Sequence, residues 1–164
     1  MTRNALAAVV TLLVVSTPSI SDACSCAWGG PFLTVAPRAE SIVRGRVLRY
    51  TGPNGAIGQV AMEVEVVEVL KGRERPGRMR VWGGNGVQCR PYVSTFPVGT
   101  EWVFALSRIA QGEGAGDFVI NGCGQYWVRV EGELVVGQLR ARQPPGGKDA
   151  PERMPLSELR ARLR

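Results

Sequence analysis

The sequence contains no histidine. That one absence removes Ser-His-Asp and Cys-His nucleophile pairs, histidine general bases and histidine metal sites, so the chain is not expected to be an enzyme or to carry a cofactor. Lysine is scarce too: of 20 basic residues, only Lys71 and Lys148 are not arginine. Aromatic residues make up 7% of the chain, too few to interleave with the basic residues as a single-strand nucleic-acid surface requires. The net charge of +6 is scattered along the chain instead of clustered. It reads as solvated faces, and no nucleic-acid partner is expected. Beyond the N-terminal segment, no apolar run reaches the roughly 20 residues that span a bilayer.

The N-terminus itself has three zones. Arg3 supplies a positive charge, Ala5 to Val15 is apolar apart from Thr11, and Thr17-Pro18-Ser19 breaks the helix before Ser21-Asp22-Ala23. This is the layout of a secretory signal with small residues at the cleavage site. Residues 1–23 are expected to be removed, and the mature protein to be secreted, periplasmic or extracellular. A cysteine directly after the cleavage site also admits lipidation at Cys24, although Ser21-Asp22-Ala23 lacks the leucine and small pair of a lipoprotein signal. The remaining 141 residues (164 − 23) suit one domain with a real core.

Four cysteines remain: Cys24, Cys26, Cys89 and Cys123. An even count in an exported chain reads as two disulfides. A zinc site would favour short-spaced ligand pairs on both sides, whereas Cys89 and Cys123 stand far apart. Three pairings are open, of which a Cys24–Cys26 bond would close a very tight ring.

Between turn signals the chain is rich in valine with period-2 alternation. Val43, Gly45 and Val47 alternate with Arg44 and Arg46. Val60, Met62, Val64 and Val66 alternate with Ala61, Glu63 and Glu65, and the phase slips at Val66-Val67, as at a β-bulge that bends a strand around a barrel. Met79 and Val81 share a face, as do Trp102, Phe104 and Leu106. Phe118 to Asn121 is a short strand, and Gln125–Val130 with Glu133–Leu139 reads as a hairpin around Glu131-Gly132. Glu63, Glu65 and Glu68 read as a solvated strand face, not a metal cluster. Val43, Val47, Val64, Val66, Phe104 and Val128 are expected to line one core. The tail, 143–164, reads as a Pro/Gly linker followed by a short helix capped by Ser157, with Leu156, Leu159 and Leu163 on one face. The fold class is mostly β: a small Greek-key OB-type barrel over 24–142 with a short C-terminal helix. A sandwich is the alternative that strand counting leaves open.

The cysteine spacing then becomes informative. The start Cys24-Ser25-Cys26, the stretch Ala39-Glu40-Ser41-Ile42-Val43-Arg44, the long strand ending Lys71-Gly72, and the later Cys89 and Cys123 resemble the N-terminal netrin-like domain of the tissue inhibitors of metalloproteinases. The resemblance runs from Cys24 to about Trp127 and implies a single-domain, bacterial-type member without the family's separate C-terminal domain. The family's third disulfide has no counterpart, and Gly86-Val87-Gln88 differs from the family's serine-containing segment. The resemblance implies Cys24–Cys89 and Cys26–Cys123 bridges and a zinc endopeptidase as partner. The main-chain amine and carbonyl of Cys24 would chelate that partner's catalytic zinc, Ser25 would enter the primed-side pocket, and Gly86, Val87 and Gln88 would form a second contact ridge beside Cys26. The alternative is an exported disulfide-stapled binding module for a protein, glycan or envelope component, without inhibitory activity.

Overall fold

The computed structural model describes residues 26–55, 58–140 and 151–163. The expected signal segment, Cys24, Ser25 and the Pro/Gly linker at 143–147 lie outside these residues. Eight strands follow in chain order: β1 (Ser41–Gly55), β2 (Gly58–Lys71), β3 (Gly77–Trp82), β4 (Glu101–Arg108), β5 (Phe118–Val119), β6 (Trp127–Glu131), β7 (Leu134–Gly137) and β8 (Glu152–Pro155). The first five close a barrel in the order β1-β2-β3-β5-β4, with β4 returning to β1. All pairings around the barrel are antiparallel except β3 with β5. This is the OB-type barrel that the strand pattern predicts. β4 makes the closure by dividing one edge between two partners. Ser107 and Arg108 pair with β5, while Trp102 to Phe104 pair with β6.

The phase slip in β2 is a bulge. Arg44 opposes Glu68 and Gly45 opposes Val66, so Val67 is the extra residue between them. Val66 points into the barrel at 4% exposure, and Val67 turns out to solvent at 43%. Further irregularities at Val47/Arg49 and Ile42/Val43 add bend to the same pair, as a tightly coiled barrel wall needs. Gly45 lets the strands close up at the bend, because a Cβ there would run into the Val64 side chain.

Two main cores result. The barrel interior holds Val43, Val47, Met62, Val64, Val66, Phe104 and Leu106. Phe96, which follows the 3-10 turn Val93–Thr95, joins this core and meets Trp102, Phe104 and Trp127 edge-on at 5.2, 5.3 and 5.6 Å between centroids. Such edge-to-face contacts suit the ring quadrupoles. The second core lies outside the barrel wall. There Ile42, Val103 and Ala105, from the other faces of β1 and β4, pack on Phe32, Val130, Val135, Met154, Leu156 and Leu159. Val128 belongs to this second core and not to the barrel, which corrects the single-core expectation. It stands directly opposite Val103 on the neighbouring strand, and cross-strand partners share a face. Because β4 is buried on both sides, Val103 to Leu106 form four consecutive buried residues instead of an alternation.

The tail is more structured than a linker and a helix. β8 pairs with β7 and buries Met154. Helix α2 (Leu156–Leu163) starts at Leu156, so Ser157 lies inside it and is not its cap. Leu156 and Leu159 close the second core, with Leu163 packed against its rim. Arg160 fastens the helix to β2 through a two-pronged pair with Glu68 at 2.8 and 2.7 Å. Glu63 likewise sits between Arg49 and Arg78, at 2.7 and 3.2 Å. Both carboxylates are engaged by arginines of neighbouring elements.

Candidate functional site

The site begins where three irregular segments meet at one edge of the barrel. Cys26 is bonded to Cys123, with 5.8 Å between the Cα atoms. Gly29 N–H donates to the Cys123 carbonyl at 2.8 Å, Gln125 N–H to the Gly30 carbonyl at 3.0 Å, and Gly122 N–H to the Cys89 carbonyl at 2.8 Å. Glycine is needed at these crossings. A Cβ on Gly29 would lie 2.8 Å from the Cys123 oxygen, and one on Gly122 would lie 2.8 Å from the Cys89 oxygen. The four-residue helix α1 (Phe32–Val35) then anchors the segment, with Phe32 fully buried and the N–H groups of Phe32 and Leu33 donating to the Gln138 and Leu139 carbonyls.

Cys89 is also disulfide-bonded. Its expected partner, Cys24, lies outside the described residues, as does Ser25. The sulfurs of Cys26, Cys89 and Cys123 lie within 4.8 Å of one another, so the oxidised cysteines form one knot. Sulfur held in a disulfide is not the thiolate that ligates a metal.

Gly86, Val87 and Gln88 sit beside this knot on the loop after β3. Asn85 Oδ1 accepts from the N–H groups of Val87 and Gln88 at 3.1 and 3.2 Å, an Asx turn of the kind that substitutes for a backbone turn. Gly86 supplies the positive φ of 94° that the loop requires. Val87 is thereby held out at 73% exposure, the most exposed large apolar side chain among the described residues. The structure therefore brings Cys26, Cys89 and Cys123 together and carries 86–88 on the same loop as Cys89.

Sequence reasoning missed Trp28, which stands 39% exposed two residues after Cys26. Its only sequence signal was a tryptophan in a Gly-rich stretch with no alternating partners. It also missed Arg90. That side chain is half-buried, burial pushes its guanidinium below the ordinary arginine value, and no hydrogen bond or ion pair is found for its side chain among the described residues.

Arg90 separates two hollows. On one side a small groove of about 230 Å³ runs past Cys26, Cys89, Gly122 and Trp127. On the other side lies a cleft of about 440 Å³ beside the barrel wall, with an apolar lining separate from the barrel interior. It opens between the β1–β2 hairpin end (Pro53, Asn54, Gly55), the end of β3 with its following loop (Trp82, Asn85, Gln88), and the β4–β5 loop (Ile109, Gln111, Glu113).

These features define the class: an OB-type barrel with a disulfide-stapled edge and a polar cleft beside its wall. No protein-family model and no curated protein matches the chain. Among the described residues, no helix is long and apolar enough to cross a membrane.

Proposed function

We propose that the protein is an exported, inhibitor-like binding domain that engages a zinc endopeptidase through its stapled edge, with the mature N-terminal residue Cys24 as the zinc ligand. One observation carries the reading. Two residues after the expected first residue, the chain is bonded at Cys26 to Cys123 and tied at Gly29 to the same cysteine's carbonyl, and exposed Trp28 lies between. A segment so held loses little freedom on binding, which favours affinity.

The chemistry needs no histidine. An N-terminal α-amine has a pKa of roughly 8, and with its own carbonyl oxygen it closes a five-membered chelate on a metal. Catalytic zinc keeps one coordination position for water, which the chelate displaces. The amine binds as the neutral base, so the metal must outcompete a proton. Ser25 enters the adjoining pocket, and the loop at Gly86, Val87 and Gln88 adds a second apolar contact through Val87.

The test is titration of a panel of zinc endopeptidases with the processed protein and with a form carrying one extra alanine before Cys24. The reading expects inhibition by the first form only. Equal inhibition by both forms removes the chelate, and inhibition by neither leaves an exported binding module without inhibitory activity. The polar cleft on the far flank of the 85–90 loop favours that second reading.

A further inference from the structure

We propose that the cleft beside the barrel wall binds an acidic oligosaccharide, a ligand rich in hydroxyls that carries a carboxylate recognised by Arg90. The volume of about 440 Å³ is within the usual range for small-ligand sites. The position, between the β1–β2 and β4–β5 loops, is one from which OB-type barrels can present a ligand surface.

The lining chemistry selects the ligand class. Asn54, Asn85, Gln88 and Gln111 line the cleft, and each carboxamide offers both a donor and an acceptor, the pair of functions that a sugar hydroxyl answers. Asn85 spends its oxygen on the Val87 and Gln88 N–H groups, which leaves its NH₂ for a ligand. Glu113 adds an acceptor on the opposite loop. Below these groups, Val60, Trp82 and Ile109 give an apolar floor.

Two other classes of macromolecule fit less well. Single-stranded nucleic acid needs exposed aromatic faces on which bases stack. Trp82 is only 8% exposed, its Nε1 donates to Asp117 Oδ2 at 2.9 Å, and Gly114 lies so close to the indole that a Cβ there would be 2.6 Å from Nε1. A peptide added as a strand needs free backbone donors at a sheet edge. Here the end of β3 at Val81 and Trp82 has partners on both sides, and beyond it Gly83 and Gly84 donate to the Val60 and Pro91 carbonyls, both at 2.8 Å. What the cleft presents is side-chain amide.

Arg90 supplies the charge preference. Arg44, Arg46, Arg49, Arg78 and Arg108 each have a carboxylate within 3.2 Å. Arg90 is half-buried with no such partner among the described residues. A guanidinium withdrawn from water without a partner is unfavourable, and its planar fork matches a carboxylate bidentately. A uronate-type sugar satisfies the fork and the amides together.

The inference does not rest on the protease reading, and its test keeps the two apart. Isothermal titration of the processed protein uses β-1,4-linked glucuronate and mannuronate tetrasaccharides, with cellotetraose and mannotetraose as neutral counterparts, and a glutamate hexapeptide and an oligothymidylate as other polyanions. At least one uronate tetrasaccharide should bind in preference to its neutral counterpart and to both other polyanions. Arg90→Gln should weaken that binding on the order of 10- to 100-fold, the range of a lost charged hydrogen bond, without changing the neutral sugars. Gln111→Ala, an exposed change that spares the fold, should weaken acidic and neutral sugars alike. The alanine-extended form should bind sugars undiminished. Failure of both uronates to bind, an unchanged affinity in Arg90→Gln, or tighter binding of the peptide or the oligothymidylate each overturns the proposal.

Discussion

Gly29 and Cys123 meet backbone to backbone: the Gly29 N–H donates to the Cys123 carbonyl at 2.8 Å, and a side chain at position 29 would lie equally close to that oxygen. The contact and the Cys26–Cys123 bond clamp the same stretch of chain from two directions. Gly29→Ala should therefore force the segment away from the barrel, at about 1–3 kcal/mol, the usual range for overpacking. Urea denaturation measures the loss, and hydrogen exchange at residues 26–30 should rise more than in the barrel strands. If the inhibitor reading holds, inhibition weakens in parallel.

The bridge itself makes a sharper demand. Replacing Cys26 and Cys123 together with alanine should cost about 2–5 kcal/mol, as for other exported domains. Cys123→Ala alone should behave worse. It frees the Cys26 thiol among sulfurs that lie within 4.8 Å of one another, so exchange with the second disulfide follows. Non-reducing peptide mapping should find one set of bonds in the double variant and a mixture in the single one.

Neighbouring valines separate the two sides of the bulge. Val66→Asp places a carboxylate inside the barrel and should cost several kcal/mol, on the order of an uncompensated buried polar group. Val67→Asp should stay within about 0.5 kcal/mol of the wild type, as surface changes do. Comparable losses for both would contradict the bulge assignment.

Acid should destabilise the barrel in part through Glu101. Burial raises its carboxyl, but hydrogen bonds and charge from Arg46 and Arg44 outweigh that and hold it below the ordinary glutamate value. A group depressed in the folded state binds its proton more tightly when unfolded. Its stabilisation is present above the unfolded pKa of about 4.3 and is lost as the pH falls through the lower folded value. Glu101→Gln should lower stability at neutral pH by about 1 kcal/mol and flatten the fall in stability below pH ~4.3. Thermal melts of the two proteins across that range provide the check.

The sequence by itself determined what is local. Period-2 valine runs specified the long strands, the slip at Val66-Val67 specified the bulge, and the Glu131-Gly132 turn signal specified the β6–β7 hairpin, where Gly132 adopts a φ of 60°. The cysteine pattern, read through a family resemblance, anticipated the Cys26–Cys123 bond. Only the tertiary structure decided which core each apolar face meets. Alternation sorts side chains onto the two faces of a strand, but it cannot say that β4 is buried on both, so Phe104 fills the barrel while Val128 packs outside it. β8 was illegible because it buries only Met154 among its four residues, too few to show an alternation, and its pairing with β7 is a tertiary contact. The cleft was illegible most of all. Asn54, Arg90 and Gln111 are far apart along the chain, and only the folded strand order brings their loops together around one cleft.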